Sequence, residues 1–233
     1  MAELRLVEHY VSLQGEGPRI GVMTQFVRFA GCNMKCAGWP CDTKHAIEPS
    51  IFMQPGCSYK MSPEQLLEAC FQKEQETGAR NICLTGGEPF LQPLIKLVEF
   101  IEALPDLFTL ECFSNGSFLY PETALRRVNF IMDWKLKGSG EGETALSNRL
   151  DNALNLGPTD AIKFVVTGQE DLLEAHRVWE HIIQTNNPIF YVGAAWDRIT
   201  VQEIQNYITR NKLPWLINVQ VHKYIWDPQE KGV

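Results

Sequence analysis

What most narrows the fold of this chain is a rhythm in its apolar residues. Short strand-like runs alternate about six times with longer stretches patterned at helical spacing. The strand-like runs lie at 4–13, 23–30, 81–84, 108–113, 128–133, 161–166, 189–192 and 216–221. Helical patterns fill 91–104, 121–127, 144–156, 169–184 and 200–210, and another helix starts after Ser62. Two of the starts are capping boxes, Ser62-Pro63-Glu64-Gln65 and Thr200-Val201-Gln202-Glu203. In each, the hydroxyl and the side chain three residues on satisfy one another's backbone N–H groups. Alternation of this kind builds a parallel sheet with helical crossovers. A closed eightfold barrel takes roughly 250 residues. About six or seven units within 233 residues predict instead a partial, open barrel of the (β/α)6 type, in a single α/β domain spanning 1–233.

Ligand sites in such folds gather beyond the C-terminal ends of the strands. Beyond the second run comes Gly31-Cys32-Asn33-Met34-Lys35-Cys36, continuing to Cys41-Asp42-Thr43. Three thiolates on one loop, spaced C-x3-C-x4-C, can hold three corners of a cubane iron–sulfur cluster and leave one iron open to a ligand. They can also hold zinc if His45 supplies a fourth ligand, a second reading behind the cluster, and three unrelated buried thiols are the third reading. Thr85-Gly86-Gly87-Glu88-Pro89 follows the 81–84 run, bringing exposed backbone and a carboxylate suited to an amine. Ser114, Asp133 and Gly193 stand just past three later strands. Gln14-Gly15-Glu16-Gly17-Pro18 allows close backbone approach to a ligand, although a plain surface turn has the same composition. Arg28 sits within an apolar strand and needs an anionic partner, from the protein or from a substrate. The glycine-rich stretch 138–143 reads as mobile.

A net charge of −7 argues against a broad nucleic-acid footprint. No apolar run reaches membrane-spanning length, and the start Met1-Ala2-Glu3-Leu4-Arg5 lacks the shape of a signal peptide. Seven cysteines, three of them on one loop, point to metal chemistry in a reducing cytoplasm instead of a disulfide framework. Cys57, Cys70, Cys83 and Cys112 read as structural thiols.

The cysteine loop and Gly86-Gly87-Glu88-Pro89 resemble the radical SAM enzymes. Ser12-Leu13-Gln14-Gly15-Glu16-Gly17, Phe26-Val27-Arg28-Phe29-Ala30-Gly31-Cys32, Cys41-Asp42-Thr43-Lys44-His45 and Gln220-Val221-His222-Lys223-Tyr224 narrow the resemblance to the 7-carboxy-7-deazaguanine synthases. The likeness runs from about Leu6 to Val233. That resemblance implies a [4Fe–4S] cluster on Cys32, Cys36 and Cys41. It implies S-adenosylmethionine on the open iron, held by Gly86, Gly87 and Glu88, with Ser114 and Asp133 as further contacts. It implies conversion of 6-carboxy-5,6,7,8-tetrahydropterin to 7-carboxy-7-deazaguanine and ammonia, on the route to queuosine-type deazapurines. The implied pterin contacts are Gln14, Glu16, Gly17, Arg28, His222, Lys223 and the carboxylate of Val233. Mg2+ would sit on Thr43. A substrate loop at 1–22, a substrate-side tail at 216–233, a homodimer, and a flavodoxin-like or other one-electron donor are further implications. The superfamily's usual spacing is C-x3-C-x2-C, so two extra residues separate Cys36 from Cys41, and a bulge at Gly38 and Pro40 would absorb them. A glycyl-radical activase, which would not need the Gln14–Gly17 element or the His222-Lys223 tail, and a zinc-binding module on Cys32, Cys36, Cys41 and His45 are the competing readings.

Overall fold

The computed structural model describes residues 3–39 and 41–226, and at 222 and 223 the backbone alone. Val233 and the side chains of His222 and Lys223 therefore lie outside what is described. The chain opens with β1 (Leu4–Leu13), which pairs antiparallel with β2 (Met23–Phe29). Two short helices, α1 (Lys44–Ile47) and α2 (Pro49–Phe52), lead to β3 (Tyr59–Met61), which pairs with the outer side of β1. Strand and helix then alternate: α3 (Pro63–Thr77), β4 (Asn81–Gly86), α4 (Leu94–Ala103), β5 (Thr109–Ser114), α5 (Glu122–Arg127), β6 (Asn129–Trp134), α6 (Leu146–Asn155), β7 (Ala161–Val166), α7 (Gln169–Ile182), β8 (Ile189–Ala194), α8 (Val201–Asn211), β9 (Leu216–Ile217) and α9 (His222–Ile225).

The described strands form one sheet in the order β3-β1-β2-β4-β5-β6-β7-β8-β9, and every neighbouring pair from β2 to β9 is parallel. β3 and β9 end the sheet without pairing to each other, so the barrel is open, as the repeat number predicts. Parallel strands covered by helices read as near-continuous apolar runs. The middle of β6 (Phe130, Ile131, Met132) and of β7 (Ile162, Phe164) is buried in this way. Both capping boxes form, on α3 and α8.

Four details differ from the sequence reading. Pro93, which cannot continue a helix, splits the 91–104 pattern into a 3-10 turn (Pro89–Leu91) and α4. α1, α2 and β3 are too short to register as periodic patterns. The last strand stops after two residues, because Asn218 and Val221 turn back toward the loop after β1. Asn218 Oδ1 accepts from Gly17 N at 3.3 Å, and Val221 N donates to Gly15 O at 3.0 Å. Finally, 138–143 is packed: Ser139 is fully buried.

Candidate active site

The parallel register brings the C-terminal ends of β2 and β4–β8 to one rim, and a cavity of about 570 Å³ opens there. Gln14, Glu16, Arg28, Cys32, Cys36, Cys41, Thr43, Gly86, Gly87, Ser114 and Asp133 all line it. Gly17 and Glu88 stand behind the wall.

The cysteine loop leaves β2 through Gly31, whose φ of +92° favours glycine. All three thiols are half-buried and free. Burial pushes Cys32 up to about 11 and raises Cys36, against the pull of the Lys135 ammonium on Cys36. Such thiols become ligands when a cation replaces the lost solvation. Asn115 Nδ2 lies 3.8 Å from Cys32 Sγ, and Met34 N lies 3.5 Å from it. Thr43 Oγ1 donates to Gly86 O at 3.0 Å and sits 3.4 Å from Cys41 Sγ.

The Gly86-Gly87 turn is pressed against the start of that loop. Gly87 N donates to Phe29 O and Glu88 N to Gly31 O, at 3.0 and 2.8 Å. A Cβ on Gly87 would fall 1.8 Å from Gly31 O. The Glu88 carboxylate points away from the cavity. It accepts from Ser114 Oγ (2.9 Å), Asn115 N (2.7 Å) and Phe90 N (3.1 Å), and its burial raises its pKa to about 7 despite those bonds. Glu88 thus fixes the loop after β5.

Glu16 is buried and bonded twice, by Lys163 Nζ and by Gln220 Nε2, each at 2.6 Å. Burial alone would raise its pKa, but the ammonium and the two bonds outweigh it and hold the carboxyl below its usual value. Asp133 is likewise held low, against burial, by Lys135 at 2.8 Å and by Lys163. Its Oδ1 is buried without a hydrogen-bond partner. Gln14 Nε2 donates to the fully buried Glu111, which also accepts from Asn81. Arg28 finds its anion within the protein: Glu8 is its register partner on β1, with Oε1 3.1 Å from Nε, and Tyr10 OH accepts from Nη2 at 2.8 Å. His45 also bonds Glu8, so its ring is committed away from the cysteines. That geometry removes the fourth ligand the zinc reading required.

Thiolates sharing one zinc lie within about 4 Å of one another. Among the described residues no three His, Cys, Asp or Glu side chains converge as a single-ion site. A cubane spreads its thiolates over different irons, and three half-buried cysteines around one cavity fit that donor set.

Comparison with known proteins agrees. The 4Fe-4S single cluster domain family matches residues 13–120. The 7-carboxy-7-deazaguanine synthase of Clostridium acetobutylicum is 33% identical, over 98% of this chain and 99% of that one. The chain belongs to the 7-carboxy-7-deazaguanine synthase family. Further synthases of this name, from Koribacter versatilis and Chlorobaculum tepidum, are 32% and 30% identical over 99% and 100% of the chain, and over 100% and 98% of their own lengths. The crystal structure of QueE from Escherichia coli shares the fold, with a TM-score of 0.69 at 24% identity over 94% of this chain and 95% of that one. The matched domain and the synthase family together imply a [4Fe–4S] cluster and S-adenosylmethionine. Among the described residues no helix is long and apolar enough to cross a membrane.

Several wall residues of this synthase-family chain escaped the sequence reading: Lys135, Lys163, Asn115, Glu8 and Asn218. For Lys163 the signal was present. A lysine inside the apolar run 161–166 raises the same question as Arg28 in 23–30. Glu8 and Asn218 carry no such mark, because only the fold brings them to the wall.

Proposed function

We propose that the chain converts 6-carboxy-5,6,7,8-tetrahydropterin to 7-carboxy-7-deazaguanine and ammonia. The two products together contain the substrate's atoms, so no net oxidant is consumed. The observation that carries this reading is the meeting, in one cavity, of the three cysteines, the Gly86-Gly87 turn and the buried Glu16–Lys163 pair. When bound on Cys32, Cys36 and Cys41, the cluster and S-adenosylmethionine supply one-electron chemistry and hydrogen abstraction.

The chain's own residues bind and orient. Gly86 and Gly87 offer backbone carbonyls to the amino group of S-adenosylmethionine, and Glu88 holds Ser114 and the Asn115 amide in place from behind. Asp133 Oδ1, buried and unpartnered, accepts from a donor on the same cofactor. In the same cavity Glu16 and Gln14 accept from the pterin's N–H groups. Arg28, steered by Glu8, meets its carboxylate. Gly17, backed by Asn218, keeps the Gln14–Gly17 loop against that wall. The Thr43 hydroxyl is a hard oxygen donor suited to Mg2+. We assign His222, Lys223 and the Val233 carboxylate to the pterin as well, with 1–22 as substrate loop and 216–233 as substrate-side tail of one domain. We extend the proposal to a homodimer fed by a flavodoxin-like one-electron donor in the cytoplasm.

The test is anaerobic reconstitution with iron and sulfide, then incubation with S-adenosylmethionine, a reductant, Mg2+ and the carboxytetrahydropterin. Mass spectrometry should find deazaguanine product and ammonia. An iron-loaded protein that cleaves S-adenosylmethionine yet leaves the pterin intact rejects the substrate assignment and favours the activase alternative.

A further inference from the structure

The two extra residues between Cys36 and Cys41 enlarge a loop that would otherwise be tight. A distant segment meets that enlargement. Residues Lys137–Ser139 form a 3-10 turn after β6. Ser139 O accepts from Ala37 N at 3.0 Å and from Gly38 N at 3.3 Å. Glu141 Oε1 accepts from Lys35 N at 2.6 Å, while its other oxygen takes the Thr144 hydroxyl. The approach is close enough that a Cβ on Gly38 would fall 1.8 Å from Gly138 O.

The segment is itself anchored. Gly138 N donates to Asp171 Oδ1 at 2.8 Å, and Lys137 N to Glu174 Oε2 at 3.0 Å, both acids lying on α7. A Cβ on Gly138 would fall 2.2 Å from Asp171 Oδ2. Arg149 on α6, fully buried, donates to Lys135 O and Gly142 O. Three backbone N–H groups flanking Cys36, those of Lys35, Ala37 and Gly38, therefore hang on a strap braced by two helices. N–H groups of a free loop would bond water instead.

We propose that the 137–142 strap is the positioning device for the iron–sulfur loop. Ser139 O and Glu141 hold the Lys35–Gly38 arc so that Cys36 faces the cavity beside Cys32. The inference rests on the assignment of the cluster to these three cysteines. It explains how a C-x3-C-x4-C loop keeps a ligand geometry usually served by a shorter one. Ser139 and Glu141 do not line the cavity and act through the loop's backbone.

The test is Glu141→Ala, Glu141→Gln and Gly38→Ala in the full-length protein, each reconstituted anaerobically. Iron and sulfide per chain, the rate of iron loss to a chelator, and the electron paramagnetic resonance of the reduced protein are measured. Thr200→Ala, which removes the cap of α8 far from the loop, serves as a control with a comparable loss of Tm. Glu141→Ala should lose iron on the order of ten-fold faster than the wild type and broaden the resonance. Glu141→Gln, whose amide oxygen can still accept from Lys35 N, should recover most of the difference, and Thr200→Ala should show none. Gly38→Ala should load well under the wild-type iron; if it fails to fold, the glutamate pair alone decides. Glu141→Ala holding iron and resonance like the wild type, or losing iron no faster than Thr200→Ala, overturns the proposal. A wild type that takes up no iron overturns the cluster assignment itself, which is a separate failure.

Discussion

The two walls of the cavity are built from different materials. The cysteine side is made of backbone: Gly86 and Gly87 against Phe29–Gly31, Ala37 and Gly38 against Ser139. The charged part of the lining is made of side chains matched in pairs, Glu16 with Lys163 and Arg28 with Glu8. The contrast teaches how each wall can fail. A backbone wall fails when anything is added to it, since close approach leaves no room for a Cβ. A side-chain wall fails when one partner is removed, since the other is left charged and buried.

The largest predicted effect tests the side-chain wall. Lys163→Met leaves the buried Glu16 carboxylate without its cation, at a cost of about 3–5 kcal/mol, read as the midpoint of urea unfolding. If that variant is as stable as the wild type, Gln220 alone satisfies Glu16 and the pairing argument breaks.

Next is the backbone wall. Gly87→Ala places a methyl group against the Gly31 carbonyl and should cost about 1–3 kcal/mol. Iron uptake should fall with it, while Gly168→Ala, where nothing lies within 4 Å and the backbone is extended, should load normally. Equal iron in both would show that close approach is not what the turn requires.

The acid limb of stability sharpens the contrast further. Glu16 is held below its ordinary value of 4.5 in the folded protein. As pH falls below that value the unfolded chain takes up the proton first, so stability is present above about 4.5 and lost below it. In Lys163→Met the pull on Glu16 is gone, and Tm against pH should flatten on that limb. An unchanged limb would assign the acid sensitivity to other groups.

The smallest effect belongs to Glu8→Gln. Arg28 and Glu8 are only partly shielded, so their pairing is worth about 1 kcal/mol or less. The variant should raise KM for the pterin roughly three- to five-fold with kcat little changed, because the guanidinium loses its bearing and keeps its charge. A change confined to kcat would assign Glu8 a part in the chemistry.

Much of this was legible in the sequence, and the gaps have physical causes. The strand and helix runs, both capping boxes and the rim position of the cysteines follow from periodicity and local chemistry. Arg28 announced a partner but not whose. That answer lies in the Glu8–Arg28 register between β1 and β2. Glu88 was visible as a carboxylate at a strand end, yet its inward turn depends on the amides of Phe90 and Asn115. Residues 138–143 read as mobile because glycine signals freedom when the neighbours are unknown. Here Gly138 is needed for the opposite reason: the Asp171 carboxylate and the Thr167 hydroxyl leave no room for a Cβ.

The fold-back after β9 sets the order in which the molecule can be finished. Gly15, Glu16 and Gly17 receive their bonds from Val221, Gln220 and Asn218, some two hundred positions further along. A ribosome making this chain completes β1 to β8 before it reaches those residues. The sheet can assemble while synthesis continues, but Glu16 has no second bond until residue 220 emerges. The Gly15–Gly17 loop is therefore the last part of the rim to set.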